Sequence, residues 1–387
     1  MISNVVPNMG SPAKKSLPAM LKLQALDIVE RYHVSGGIGP DAYSNAPSLH
    51  PMAEAKFMLS LVALLNAKVI SQQRFVEYAA PVCLRLEASR ISLFGGGAAW
   101  GLGFRYGDFS AKEPFLITSA LVVEALSAAL ATSLLDKKVA SLQKAGMRTL
   151  TSWLRHWTLA YPGTELMLPR YSEHLHDPII NAAAYAMGVV ARSTDVAESE
   201  TASAKEGLLL IAGLRVKGAG WPYSASSGIV DLLHQCYIIN AYPTDMWPAD
   251  NDWHTDLISL FDGGICYLDV CTLVTESFAP SRELPIIRKI GDYCLRVERK
   301  PARLWSLGEL LLCLSRRGRL IADEPERLRW KRTADRVARH VMEQFESNSE
   351  ESGFVRHAMH GLHGIVELLA FHREDAQVKG NRASHDK

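Results

Sequence analysis

The chain has 387 residues, 48% of them hydrophobic, and its 42 basic residues nearly balance its 41 acidic ones. A net charge of +1 gives no electrostatic reason to expect a nucleic-acid partner, because nucleic-acid binders concentrate Lys and Arg. The stretch 114–135 is long enough to cross a bilayer, but Glu124 at its centre favours a buried helix of a globular protein, and we expect no membrane span.

The six cysteines form no Cys-x-x-Cys pair, and most lie in apolar runs. This pattern predicts buried free thiols and a reducing compartment, with no zinc or disulfide framework. The first 18 residues lack the apolar core of a signal peptide. We therefore expect a cytoplasmic protein.

Helical periodicity dominates the chain, and clear strand alternation is almost absent. The stretch 284–298 fits either a helix or a pair of strands. The spacing of apolar residues predicts helices near 16–33, 49–66, 71–91, 114–135, 137–159, 177–193, 202–215, 228–242, 253–272, 303–316, 324–346 and 355–372.

Helices that are apolar all round alternate with helices that carry one charged face. The first type includes 114–135, 177–193 and 303–316, and the second includes 71–91, 137–159 and 324–346. A helix apolar on every side must be buried, whereas an amphipathic helix can cover it. With a period of about 50–60 residues per hairpin, the pattern predicts an all-α (α/α)6 toroid of inner and outer helix rings.

We expect one toroid domain over 16–372, between an N-terminal tail (1–15) and a polar, frayed C-terminal tail (373–387). The loops that lead into the apolar helices carry Gly, Trp, Tyr, Arg and His, whereas the loops at the other edge are short and plain. This asymmetry predicts a functional mouth on one face of the ring.

The first such loop, 93–107, is rich in glycine and aromatic residues. It follows no predicted strand and lacks a Gly-Lys-Ser/Thr ending, so it is not a phosphate loop. Trp100 and Tyr106 could stack on a sugar ring beside Arg105, or the aromatic residues could instead anchor the loop in the core.

The second loop offers several candidate ligand contacts ahead of the helix near 177–193: Arg170, Tyr171, His174, His176 and Asn181. Asp177 and Pro178 predict a helix N-cap followed by proline at the first helical position, so Asp177 is interpreted as structural. His-x-His can bind a metal, but no set of further ligands is evident, and we expect no metal or other cofactor.

The third loop contains Trp221 and Tyr223, followed by Asp231, His234 and Gln235, and we expect Trp221 and Gln235 to contact a substrate. A helix from about residue 228 places Asp231 and His234 one turn apart on one face. An acid in this position can orient an imidazole for general acid–base catalysis. The alternative is a helix-opening acid favoured by the helix dipole, together with a buried histidine.

Two further helices open with polar residues. Arg303, Trp305 and Glu309 begin one, and Arg356, His357, His360 and His363 begin the last. Arginine is unfavourable at a helix start, so these arginines could bind an anion such as a carboxylate or phosphate; stacking on the flanking aromatic residues is the alternative.

In their order along residues 95–370, these segments resemble a bacterial family of α/α-toroid proteins associated with polysaccharide and O-antigen biosynthesis. The matching segments are Trp100-Gly-Leu-Gly-Phe-Arg-Tyr106, Ile180-Asn-Ala-Ala183, Gly218-Ala-Gly-Trp-Pro-Tyr223 with Asp231-Leu-Leu-His234, and Val355-Arg-His357. Arg105 and Gly107 replace an acid and a glutamine of the family pattern. The resemblance implies a toroid fold in a saccharide context, distantly like uronyl C5-epimerases and polysaccharide lyases, and other polysaccharide-assembly proteins as partners.

The leading hypothesis is an enzyme that acts on an acidic or lipid-linked saccharide by uronyl epimerisation, elimination or hydrolysis. Proton abstraction would use His234 as the base, Asp231 to orient it, Tyr223 or Tyr171 as the acid, and Arg170, Arg303 or Arg356 to hold the sugar carboxylate. Hydrolysis would instead need two facing carboxylates, and Asp231 with Glu309 is the pair available. The alternatives are a non-catalytic toroid that binds a glycan or a glycosyltransferase, and a toroid with an apolar cavity that binds a terpene or prenyl chain.

Overall fold

Helices make up most of the computed structural model, which describes residues 15–216, 220–224, 226–246, 267–274, 287–290, 293–301, 303–347 and 349–385. The described helices are α1 (Leu17–Val34), α2 (Pro51–Asn66), α3 (Gln72–Ala88), α4 (Leu116–Ala131), α5 (Lys137–His156), α6 (Ile180–Ala191), α7 (Glu198–Gly213), α8 (Leu232–Ala241), α9 (Leu304–Leu320), α10 (Glu324–Glu346), α11 (Glu350–Gly353) and α12 (Val355–His385).

Six of these helices form a closed inner ring. Each contacts the next in the order α2, α4, α6, α8, α9 and α12, and α12 contacts α2 to close the ring. Every residue of α6 is buried, as expected for a helix that is apolar on all sides. Helices α1, α3, α5, α7 and α10 pack outside this ring and expose polar faces. The predicted (α/α)6 toroid and its alternation of inner and outer helices are confirmed.

Polar N-caps begin three of the outer helices. The side chains of Ser71, Asp136 and Asp323 accept hydrogen bonds from the first-turn N–H groups of α3, α5 and α10. Among the described helices, none is long and apolar enough to cross a membrane.

Short β-hairpins precede three of the inner helices. They are β1 (Ile38–Asp41) with β2 (Ser44–Leu49), β3 (Ile91–Leu93) with β4 (Gly97–Ala99), and β5 (Thr158–Ala160) with β6 (Met167–Pro169). A four-stranded antiparallel sheet combines one strand that precedes α8 with three strands that lie between α8 and α9 in the chain. Its order is β7 (Ile229–Val230), β8 (Tyr267–Val274), β10 (Tyr293–Pro301) and β9 (Ile287–Ile290).

This sheet corrects one predicted helix and decides one open assignment. The helix expected over 253–272 is wrong for 267–272, which belong to β8, and 253–266 lie outside the described residues. β8 is rich in β-branched and aromatic residues, which favour strands, and a short apolar run fits either periodicity. For 284–298, the strand pair was the right alternative.

The chain does not fray after His372, because α12 continues to His385. Asp375 is buried and pairs with Arg327 at 3.0 Å and with Lys331 at 2.6 Å, both on α10. A polar stretch was expected to leave the ring here, but its charges instead meet opposite charges on a neighbouring helix.

Glycines allow α9 and α12 to approach each other closely. A Cβ atom added to Gly308 would overlap the carbonyl oxygen of His360, and one added to Gly364 would lie 2.5 Å from the carbonyl oxygen of Gly308. Such backbone contact is possible only without side chains. It brings Glu309 and His360 together at the ring axis.

We predict that Gly308→Ala lowers the free energy of unfolding by about 1–3 kcal/mol, because the added methyl group must push two backbones apart. Gly213→Ala is the matched control, since a Cβ at the end of α7 meets no atom within 4 Å. Urea unfolding followed by circular dichroism measures both. Equal stability of the two variants would contradict the close packing of α9 and α12.

Candidate functional site

The inner helices begin at one end of the ring, and the residues there form the surface that we call the mouth. Two loop tyrosines are held there by equivalent backbone hydrogen bonds. The carbonyl oxygen of Tyr171 accepts from the N–H of Leu116, the first residue of α4, and that of Tyr223 accepts from the N–H of Ile180, the first residue of α6. Each bond satisfies a free helix N–H and fixes a tyrosine at the mouth.

Asp231 and His234 form a hydrogen-bonded pair at the start of α8. Asp231 is the N-cap, and its carboxylate accepts from the N–H of His234 at 3.1 Å and also from Nδ1 of the same residue. Because a carboxylate only accepts, Nδ1 carries the proton and Nε2 is left as an acceptor. With a quarter of its side chain exposed, His234 can meet a ligand.

The two readings of Asp231, helix cap and partner of a histidine, therefore hold at once. Burial alone would raise the pKa of Asp231, but the charge that His234 carries when it is protonated, together with its hydrogen bonds, outweighs burial and lowers this pKa. The carboxylate is thus held ionised beside the imidazole, as an orienting group requires. The ring of Tyr223 packs against the imidazole at 4.4 Å.

Four tyrosines line the mouth: Tyr43, Tyr106, Tyr171 and Tyr223. The rings of Tyr43 and Tyr106 pack edge-to-face at 5.2 Å, and both are more than 40% exposed. Burial raises the pKa of the Tyr171 hydroxyl to about 12, with nearby Tyr106 and Tyr43 adding to the effect and Arg356 opposing it. Burial and the neighbouring Tyr171 also raise the pKa of Tyr223. These mutual effects place the four hydroxyls in one electrostatic environment.

Arg356 lies beneath the tyrosines in a fully paired position. Its guanidinium donates two hydrogen bonds to Asp41, at 2.7 and 2.9 Å, and stacks on the ring of Trp305 at 4.0 Å. Burial would raise the pKa of Asp41, but the hydrogen bonds and charge of Arg356 lower it. Arg356 is only 4% exposed, so the anion that it binds is Asp41. Its predicted role as the group that holds a substrate carboxylate does not fit this position.

A second histidine–carboxylate pair lies next to Arg356. His357 Nδ1 is 2.7 Å from Glu351, and the imidazole packs against Trp305. Burial lowers the pKa of His357, and its buried Nε2 atom has no hydrogen-bond partner among the described residues. Arg303 is exposed; burial opposes its charged form, but Tyr43 and the carboxylates of Glu351 and Asp231 raise its pKa.

A layer of mostly polar side chains crosses the ring below the mouth. It consists of the sixth residue of each inner helix: Lys56, Leu121, Tyr185, Tyr237, Glu309 and His360. Lys56 pairs with Glu309, and His360 Nε2 lies 2.7 Å from the Tyr237 hydroxyl. That hydroxyl also accepts from Trp305 Nε1 at 2.9 Å. Burial lowers the pKa of His360, which keeps it neutral in this layer.

This layer argues against hydrolysis by Asp231 and Glu309. Asp231 is bound to His234 at the mouth, whereas Glu309 is 1% exposed and paired with Lys56 one layer deeper. A glycosidase needs both carboxyl groups beside the scissile bond. The same polar layer stands where a prenyl-binding toroid would need an apolar cavity.

The two loop tryptophans anchor the outer helices instead of offering a stacking surface. Trp100 is fully buried and donates to the carbonyl oxygen of Leu86 in α3, and Trp221, 4% exposed, donates to that of Ile211 in α7, both at 2.8 Å. Gln235 is occupied by two hydrogen bonds to the Trp221 backbone. The predicted ligand contacts of these three residues are therefore corrected to structural ones.

Other predicted residues lie at the rim or below the surface. Arg105, His174 and His176 are exposed; Arg105 donates to the Gly107 carbonyl, and His174 contacts Glu113 at 2.9 Å. Arg170 is partly exposed, and Asn181 is buried with its Oδ1 atom unpaired among the described residues.

The N-cap predicted at Asp177 is wrong, because α6 begins at Ile180. Asp177 instead accepts a hydrogen bond from Ser226, which belongs to the next loop. Pro178 therefore precedes the helix and does not occupy its first turn.

Sequence reasoning missed Asp41 and Tyr43 at the mouth and Lys56 on the axis. The first two lie on the β1–β2 hairpin, before the first inner helix. The signal was available, since Gly36-Gly-Ile-Gly-Pro-Asp-Ala-Tyr43 has the same glycine and aromatic composition as the other mouth loops. The polar sixth position of the inner helices was a second usable signal.

Within the described part of the chain, no group of three or more His, Cys, Asp or Glu side chains is arranged to hold a metal ion. Cys83, Cys236 and Cys313 are buried and free, as predicted for them. A cavity of about 520 Å³ lies between α5, α6 and α7, and neither histidine–carboxylate pair lines it. Its size alone does not make it the site, because it lacks the paired acid and base found at the mouth.

Several solved structures share this fold. A cellobiose 2-epimerase from Spirochaeta thermophila superposes with a TM-score of 0.59 at 14% identity, over 96% of this chain and all of that one. The GH76A α-1,6-mannanase from Salegentibacter sp. HEL1_6 gives 0.54 at 10% identity, over 92% and 98% of the two chains. An unsaturated glucuronyl hydrolase specific for heparin gives 0.53 at 10% identity, over 91% and 95%. No family model matches the chain, and no curated protein matches it in sequence. At these identities the likeness shows the toroid fold.

We predict that Asp41→Asn lowers the free energy of unfolding by about 3–5 kcal/mol, because it leaves Arg356 buried without a counter-charge. Since the folded-state pKa of Asp41 is lowered, the wild-type advantage is complete above the unfolded value of about 4. It shrinks as pH falls through the folded value. Urea unfolding between neutral and acidic pH tests this, with the exposed Asp27→Asn as control. A pH-independent difference would contradict the ion pair.

Proposed function

We propose that the mouth is the active site of an enzyme that moves a proton at a ring carbon of an acidic saccharide, as in uronyl epimerisation. The observation that carries the proposal is the Asp231–His234 pair, with Nδ1 bound and a partly exposed Nε2 left to accept a proton. The fold likeness to a cellobiose 2-epimerase and to a glucuronyl hydrolase supports a saccharide substrate.

Epimerisation next to a carboxylate needs a base on one face of the sugar and an acid on the other. His234 Nε2 takes the proton from the carbon as the C–H bond breaks. Tyr223 packs on the His234 ring, so it lies on the side of the base and is better suited to hold it. The Tyr171 hydroxyl, whose pKa burial raises to about 12, is protonated at neutral pH and returns a proton to the opposite face, which leaves a tyrosinate.

The negative charge that develops on the sugar carboxylate needs a cation. Arg356 is occupied by Asp41, which leaves Arg303 as the exposed arginine at the start of α9. Arg303 also donates to the Tyr43 hydroxyl at 3.3 Å, which directs its guanidinium toward the tyrosines. An arginine in this place can hold a carboxylate in the ground state and as charge develops.

We predict that His234→Ala lowers the rate of proton exchange at the sugar carbon by about 10²–10⁴-fold, the usual contribution of a general base. Proton NMR in D₂O, with a panel of uronate-containing oligosaccharides, measures deuterium entry at that carbon. His340→Ala is the matched control, because His340 lies on the outer helix α10, paired with Glu343. Undiminished exchange in a folded His234→Ala variant would exclude His234 as the base.

Three measurements on the same reaction mixtures separate the three reactions. Epimerisation gives deuterium and an inverted centre, elimination gives the ultraviolet absorbance of a conjugated double bond, and hydrolysis gives new reducing ends. Reducing ends without deuterium would overturn the proposal in favour of a hydrolase.

We also predict that Arg303→Gln raises KM for an acidic saccharide by about 10–100-fold, the loss expected for one charge-assisted hydrogen bond. The KM for a neutral analogue, in which the carboxylate is reduced to an alcohol, should change little. Steady-state kinetics on both substrates test this, with the outer-surface variant Arg74→Gln as control. Equal losses on the acidic and neutral substrates would show that Arg303 does not bind the carboxylate.

A second candidate is a non-catalytic toroid that binds a glycan. The exposed edge-to-face pair of Tyr43 and Tyr106 favours it, because aromatic faces can bind sugar rings without further chemistry. Saccharide binding that needs these tyrosines, with no proton exchange in the wild-type protein, would support this candidate over the enzyme.

A further inference from the structure

A cavity of about 260 Å³ opens at the end of the ring opposite the mouth. It lies where the inner helices α6, α8 and α9 end. The side chains that line it include Glu124, Arg192, Asn240, Thr244, Arg316 and Arg319. At about 30 Å³ per water molecule, the space holds roughly nine waters, which suits a ligand of about ten non-hydrogen atoms.

Two of the three arginines are already occupied by protein groups. Arg192 pairs with Glu124 at 3.0 Å and donates to the carbonyl oxygen of Ala241 at 2.6 Å. Arg319 donates to the side chain and the carbonyl oxygen of Glu367, both at 2.8 Å. These contacts fix the walls of the cavity.

Arg316 is different, because its guanidinium makes no hydrogen bond or ion pair with any described residue. Glu124 and Glu367 act on it only at a distance; burial opposes its charged form, and these carboxylates together hold its pKa above the ordinary value. A charged arginine at a cavity wall without a direct partner has its N–H donors available for an anion.

Asn240 supplies a second unsatisfied group. It is 2% exposed, and its Nδ2 atom donates to Glu309 at 3.1 Å, which fixes the orientation of the amide. The Oδ1 atom, which can only accept, has no partner in the described structure. Buried acceptors are normally satisfied, so this oxygen calls for a donor such as a hydroxyl.

We propose that this cavity binds a small hydroxylated phosphate monoester, of the size of a glycerol phosphate. Arg316 binds the phosphate oxygens, and Asn240 Oδ1 accepts a hydrogen bond from a ligand hydroxyl. The site is independent of the chemistry at the mouth.

Isothermal titration calorimetry with glycerol 3-phosphate, inorganic phosphate and glycerol tests the proposal. Glycerol 3-phosphate should bind the wild-type chain more tightly than either of the other two. No binding of glycerol 3-phosphate at millimolar concentration would overturn the site, and equal affinity for inorganic phosphate would overturn the role of Asn240.

Arg316→Gln should weaken glycerol 3-phosphate binding by about tenfold or more, because a charge-assisted hydrogen bond is lost. Arg303→Gln, at the mouth, should leave binding unchanged. The opposite pattern, loss in Arg303→Gln and retention in Arg316→Gln, would place the phosphate at the mouth and overturn the proposal.

A second variant keeps the test valid if Arg316→Gln does not fold. Leu320 also lines the cavity and is 41% exposed, so a polar side chain is tolerated there. Leu320→Glu should abolish binding by charge repulsion, and the uncharged Leu320→Gln should retain it. Equal binding by the two variants would overturn the proposal.

Discussion

The ion pair between Lys56 and Glu309, at the axis of the ring, is the interaction on which the rest of the structure depends. Both side chains are fully buried, and two such charges are tolerated only when their hydrogen bonds are satisfied. Glu309 also accepts from Asn240, and His360 Nε2 lies 3.7 Å away. The four residues belong to α2, α9, α8 and α12. A shift of α2 or α9 along its axis would leave a buried charge without its partner, and a shift of α8 or α12 would remove the contact of Asn240 or His360 with Glu309. The pair and its neighbours therefore fix the register of the four helices.

Tyr237 connects this layer to the mouth. Its hydroxyl meets His360 in the same layer and Trp305 Nε1 in the layer above. Trp305 supports the guanidinium of Arg356, which Asp41 holds from the β1–β2 hairpin. A chain of defined contacts therefore connects the axis to a mouth loop. Groups held in this way are preorganised, which a binding or catalytic site requires.

Hydrophobic periodicity was enough to predict the ring. Helices that are apolar on all sides, such as α6, are buried only in an inner layer, and amphipathic helices must cover them. The asymmetry between rich and plain loops correctly indicated that Tyr171, Tyr223 and His234 share one end, because connection length and composition are local properties of the sequence.

The positions of individual side chains were harder to predict, because tertiary contacts decide them. In sequence, Trp100 looks like part of a stacking platform and Trp221 like a substrate contact, yet each donates its indole N–H to an outer helix. Glu309 looked catalytic because nothing in its own segment shows that Lys56, some 250 residues away, neutralises it. Strand β8 was mistaken for a helix because short apolar runs fit both periods.

The filled axis limits which residues can act on a substrate. Below the mouth, Lys56 pairs with Glu309 and Tyr237 with His360, and the burial of all six residues of the layer excludes a sugar ring from it. Among the described residues, those above this layer include the loop tyrosines, Arg303 and the Asp231–His234 pair. Toroids with very different activities share the ring, so the fold does not select a reaction. Among these mouth residues, His234 has both an orienting carboxylate and a partly exposed imidazole.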